Sequence, residues 1–183
     1  MANSVVRLDK VKSVYGGHLY SVRAPQEMQN GMVAHLKGLE TGEREVYEIN
    51  KPTTASIKTD GLVLIAHSPI IYDESRMGNN NEQNYVIAQG EAVRAYEIST
   101  RDIFSVSKEG LDLLATNAVA GNYVVAQNGS FKLKEVAAVA GDEAFVGKII
   151  RQDQIGTRVN VGEAGTVGGA LTYVVIEVLK NNN

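Results

Sequence analysis

Tyr123-Val124-Val125-Ala126-Gln127-Asn128-Gly129-Ser130-Phe131-Lys132-Leu133-Lys134 reads as a β-hairpin. An aromatic and β-branched run, Tyr123 to Ala126, and an alternating run, Ser130 to Lys134, flank Asn-Gly, and both turn residues tolerate the positive φ of a tight primed turn. The chain is therefore expected to be built from sheets. After the hairpin, Val136 to Val139 continues the sheet and Gly141-Asp142 turns it, with Phe145 to Ile150 as the next strand. Val159 and Val161 extend the pairing, Gly162 to Gly169 forms a flexible connection, and Leu171 to Leu179 closes the domain as a long strand.

Upstream, His18 to Arg23 alternates with period two until Pro25 stops it, and Gly31 to Lys37 and Glu45 to Ile49 read as further strands. Leu62-Val63-Leu64-Ile65-Ala66 is continuously apolar, the signature of a strand covered on both faces. Ala92 to Ile98 and Asp102 to Val106 are also expected as strands. The one helix candidate starts at Ser107 as cap, with Glu109 in its first turn and Leu111 and Leu114 as its apolar face, although Gly110 weakens it. Ser75 to Asn84 is expected as an exposed, mobile loop, because Gly78 to Asn84 has nothing to bury.

The total is a mainly β fold, barrel- or sandwich-like, of about ten short strands and one short helix, with an extended N-terminal arm. Residues 1–15 are expected as that arm, 16–180 as one β-rich domain with a subdivision allowed near 78–84, and 181–183 as a disordered tail. Because the apolar positions of Val5 to Tyr15 are mostly β-branched valines, an arm or first edge strand fits this segment better than a helix.

Composition narrows the function classes. A formal net charge of −3, with Lys and Arg scattered, lacks the field that draws a protein onto phosphate backbones, so nucleic acid is not an expected partner. Cysteine is absent, which removes disulfides, thiolate metal sites and cysteine nucleophiles. The longest apolar runs are strand length, so no membrane helix is expected, and the N-terminus has no signal-peptide core, which suggests cytoplasmic synthesis.

Catalytic constellations do not emerge either. His18, His35 and His67 lie far apart with no second ligand at metal spacing. His67-Ser68 near Asp73-Glu74 holds the residue types of a hydrolase triad, but triads assemble from separated segments, and no Gly-x-Ser-x-Gly elbow is present. The glycines of 162–169 lack the following helix and Lys-Ser/Thr pair of a phosphate loop. Tyr72-Asp73-Glu74 with Glu82 reads as a solvated acidic loop, with a hard cation as the alternative. No catalytic residue, cofactor or metal is expected.

Six segments carry a family resemblance. Val5 to Val11, Asn30-Gly31-Met32-Val33 and Gly42 to Tyr47 in the first half, with Asp102 to Ser107, Gly121 to Val124 and Phe145 to Ile150 in the second, resemble the head decoration, or cement, proteins of tailed bacteriophages. That resemblance implies a structural virion protein on the capsid exterior, present in the host cytoplasm during assembly, which bridges subunits of the major capsid protein and stabilises the shell. A homo-oligomer, for instance a trimer, fits it. The expected capsid contacts lie on the arm, at Val5, Val6, Arg7, Leu8, Val11, Val14 and Tyr15. The rivals are a tail or neck component and a carbohydrate-binding surface module, the latter drawing on the eight tyrosines.

Overall fold

The computed structural model describes residues 3–71, 81–156, 159–160, 166–167 and 170–182, of which 159–160 and 166–167 by backbone alone. In chain order the elements are β1 (Val6–Lys10), α1 (Lys12–Gly16), β2 (Leu19–Arg23), β3 (Val33–Leu39), β4 (Val46–Asn50), α2 (Ser56–Thr59), β5 (Val63–Ile65), β6 (Ala92–Glu97), β7 (Ile103–Ser107), β8 (Leu111–Asp112), β9 (Tyr123–Ala126), β10 (Leu133–Val136), β11 (Phe145–Ile155), β12 (Val159–Asn160), β13 (Thr166–Val167) and β14 (Leu171–Asn181). The fold is mainly β. Five strands close a small barrel in the order β2-β4-β3-β5-β6, and seven form a sheet in the order β1-β7-β14-β11-β9-β10-β8.

Two cores follow from this arrangement. Val22, Ala34, Ile49, Val63, Ile65, Val93 and Ala95 fill the barrel interior. A second core lies between the barrel wall and the inner face of the sheet, where Val33, Leu62, Leu64 and Tyr96 meet Phe104, Val106, Val124, Val174 and Ile176. The continuous apolar run at 62–66 is thereby explained: Val63 and Ile65 point into the barrel, while Leu62 and Leu64 point into the shared core. A strand wetted on one face would have kept polar residues at alternate positions.

The 123–134 hairpin forms, but its connection is longer than a two-residue turn. Ala126 pairs with Leu133, so the loop is 127–132, with Gly129 at φ 73°. Phe131 opens it. Its side chain is buried in the barrel core and its carbonyl accepts from the Val33 amide at 2.7 Å. Moving a phenyl ring out of water is worth about 1.5–3 kcal/mol, enough to override a local turn preference.

The helix expected from Ser107 is a single 3-10 turn, Lys108–Gly110, followed by β8. Leu111 pairs with Leu133 there, and sheet pairing with burial outweighs a weak local propensity. The tail expected at 181–183 is also corrected at its start. Asn181 ends β14, and its side-chain amide donates to the carbonyls of Leu62 and Ile98 at 3.0 and 2.7 Å. The change from barrel to sheet falls between β6 and β7, at 98–102, rather than at 78–84. Most of the Asn-rich loop, the Asp73-Glu74 pair and most of the 162–169 connection lie outside the described residues.

β11 and β14 form the long ribbon at the centre of the sheet. Their pairs run from Arg151↔Val175 to Ile155↔Leu171, and Val159↔Val167 and Asn160↔Thr166 keep the same register. β12 and β13 are a separate two-stranded pair.

Candidate interaction surface

The seven expected contact residues separate into two groups. Val5 and Val11 are core residues, 4 % and 1 % exposed, and Val6 and Leu8 are half-buried against the shared core. Residues 6–10 are strand β1, paired antiparallel with β7 through Val6↔Val106, Arg7↔Ser105 and Lys10↔Ile103. The expected free arm is therefore a built-in edge strand of its own sheet. The reason is packing room supplied by two glycines. A Cβ on Gly31 would come within 2.7 Å of Val106 Cγ1 and 3.1 Å of Ser4 Oγ, and one on Gly110 would overlap Ser4 Oγ. Ser4 and Val5 thread between these backbones, and the Val5 amide donates to Ser107 Oγ at 3.0 Å.

Val14 and Tyr15 have the opposite fate. Lys12 opens α1 with its amide donating to Asp102 Oδ1 at 3.1 Å, and Gly17, at φ 73°, ends it by donating its amide N–H to the Ser13 carbonyl. This one-turn helix presents Tyr15 at 86 % exposure and Val14 at 41 %, with Leu19 of β2 nearby in sequence at 40 %. Single exposed apolar residues are common, but an aromatic side chain held almost wholly in water next to an exposed valine on the same turn has the composition of an interface anchor. The carboxylate of Asp102 that receives the first amide of α1 is 90 residues away, so the sequence around α1 carries no local sign of it.

Arg7 is exposed on the outer face of the sheet. Its guanidinium lies 3.2 Å from Asp9 and 5.6 Å from the ring centre of Tyr173, while Asp9 accepts from the Ser105 hydroxyl. Three strands away on β11, Arg151 and Asp153 form a matching pair at 3.0 Å. Between the two pairs lies a groove of about 400 Å³ floored by Ile103, Ile150 and Val175. Burial, then the charge of Glu82, raises the Tyr173 phenol above its ordinary value.

The histidines are engaged one by one. His18 Nδ1 is 3.4 Å from Glu97, and His35 Nδ1 is 2.9 Å from the Gly61 carbonyl. His67 stacks on Tyr85 and lies 3.9 Å from Glu91. Ser68 beside it is exposed. Among the described residues no group of three His, Asp or Glu side chains could hold a metal ion, and no helix is long and apolar enough to cross a membrane.

A cavity of about 440 Å³ opens on the barrel, lined by Tyr20, Leu36, Asp60, Glu97 and Asn182. Tyr20 donates to Glu97 at 3.3 Å and meets Tyr47 edge to face at 5.3 Å. Burial first, and the Glu97 charge second, raise its phenol above the ordinary value. Sequence patterning offered no sign of this cavity, because its residues come from separate elements.

No known protein family matches this chain, and neither a curated protein nor a solved structure shows significant similarity to it.

Proposed function

We propose that this protein is a structural virion component that decorates the outer surface of a tailed-phage capsid and bridges major capsid protein subunits. The observation that carries this is the exposed apolar knuckle of Val14 and Tyr15 on α1, where Tyr15, at 86 % exposure, is the most exposed large apolar side chain among the described residues of a mainly β body. Support also comes from the resemblance of Val5 to Val11, Asp102 to Ser107 and Phe145 to Ile150 to decoration proteins. An aromatic anchor with an aliphatic neighbour supplies a small desolvated contact, and repetition over a lattice raises the effective concentration of each one.

Removing residues 1–14 would be a poor test, since Val5 and Val11 belong to the core. Tyr15→Ala with Val14→Asp leaves the core intact. Cosedimentation with expanded, DNA-free shells lacking the protein should show saturable binding of the native chain and greatly reduced binding of the double variant. Undiminished loading of a folded double variant would exclude the knuckle as the contact. Absence of native binding would overturn the capsid assignment and favour a tail or neck component.

A carbohydrate-binding role draws on the barrel cavity, where the Tyr20 ring lies beside Asp60, Glu97 and Asn182. Glycan binding lost in Tyr20→Ala and retained in Tyr15→Ala would favour it.

A further inference from the structure

We propose that β1 is a self-association seam, across which a second copy of this chain adds its own β1 antiparallel about Leu8 to continue the sheet. β1 ends the seven-stranded order, so among the described residues no strand pairs its outer side. An unpaired row of main-chain N–H and C=O groups is a template for another strand. Arg7, Leu8 and Asp9 are self-complementary in the antiparallel sense. With Leu8 opposite Leu8, Arg7 of each copy faces Asp9 of the other.

Edge strands commonly exclude partners with charge and bulges. β1 has both, with a register shift between Arg7 and Lys10. The sign pattern decides against exclusion here, because like charges repel a second copy whereas Arg-x-Asp attracts it. Both side chains are already held on one face: Arg7 and Asp9 are 3.2 Å apart and Asp9 is bonded to Ser105. Two copies would close an alternating ring of four charges with little further ordering. The operator is a two-fold axis perpendicular to the sheet, so the seam is isologous and closes at a dimer. It also leaves both outer faces, each with its Arg7–Asp9 and Arg151–Asp153 pairs, on the same side of the assembly.

The test is sedimentation equilibrium of the full chain over a concentration series at low and high salt, with circular dichroism to confirm folding. The native chain should dimerise, less so at high salt. Arg7→Asp places like charges opposite each other twice and should weaken association by roughly tenfold or more. Arg7→Asp with Asp9→Arg restores the complementarity in reverse and should recover the dimer. Leu8→Cys gives an independent readout, since the chain has no other cysteine; oxidation should yield a covalent dimer across the axis. A native chain that stays monomeric, or a dimer that Arg7→Asp leaves unchanged, would overturn the proposal.

Discussion

Asn181 pairs with Leu62 as a strand neighbour would: its side-chain oxygen accepts from the Leu62 amide at 2.8 Å and its side-chain nitrogen donates to the Leu62 carbonyl at 3.0 Å. The same nitrogen reaches the Ile98 carbonyl at 2.7 Å. One amide at the end of β14 thus satisfies main-chain groups at the start of β5 and the end of β6. Asn181→Leu should cost about 2 kcal/mol or more in urea unfolding, because buried main-chain groups lose their partner. Asn181→Asp should cost more than loss of the donor alone, since its second oxygen would face two carbonyls.

Phe131 links the two bodies through apolar contact. It leaves the sheet hairpin to enter the barrel core, and Lys51 Nζ lies 5.5 Å from its ring centre. Phe131→Ala should destabilise by about 3–5 kcal/mol. If the hairpin loop stands open chiefly because of this ring, amide exchange at Val33, which donates to the Phe131 carbonyl, should accelerate as well.

Gly110 and Ser4 are complementary in shape. A methyl group at Gly110 overlaps Ser4 Oγ and comes within 2.6 Å of Val106 Cγ1, so Gly110→Ala should cost about 1–3 kcal/mol through overpacking. Thermal melts of a Ser4→Gly, Gly110→Ala cycle should be non-additive, with the double variant more stable than the sum predicts. Strict additivity would mean that the N-terminal segment is not wedged there.

Glu135 is fully buried, yet its carboxylate accepts from the amides of Leu114 and Val119 at 3.2 and 3.0 Å and from the Asn122 side chain at 2.7 Å. These bonds fold the 113–122 loop around β10. Glu135→Gln sets an NH₂ group against donors and should cost about 1–3 kcal/mol. Hydrogen exchange should rise at Leu114 and Val119 while β7 and β14 keep their protection.

Lys58 of α2 and Asp142 form an ion pair at 2.5 Å between the barrel side and the sheet side of the chain. The hydrogen bond and then the charge of Lys58 hold the Asp142 carboxyl below its ordinary value, and the same two causes from Asp142 raise the Lys58 ammonium. The Asp142 contribution is present above the ordinary carboxylate pKa and lost as pH falls through the lowered value. That of Lys58 is present below the ordinary lysine pKa and lost as pH rises through the raised one. Both groups are exposed, so the effect is small and salt-sensitive. Melting curves of Asp142→Asn and the native chain should differ slightly at neutral pH and converge in strong acid.

Local chemistry alone determined that the chain is sheet-built, because alternation, β-branching and Gly/Asn turns are properties of neighbouring residues. It marked the β9–β10 hairpin and the two-sided strand at 62–66 for that reason. Tertiary structure decided where each strand goes. Nothing within Val5 to Val11 distinguishes an arm that reaches a neighbour from an edge strand that pairs at home; the difference lies in Gly31 and Gly110, which clear space for Ser4 from distant points of the chain. The weak helix signal at Ser107 yielded to the pairing of Leu111 with Leu133, and the Asn128-Gly129 turn yielded to the burial of Phe131. Tyr15 and Val14 share the apolar character of Val5 and Val11, yet only the first two face solvent, because exposure depends on the surroundings a side chain meets after folding.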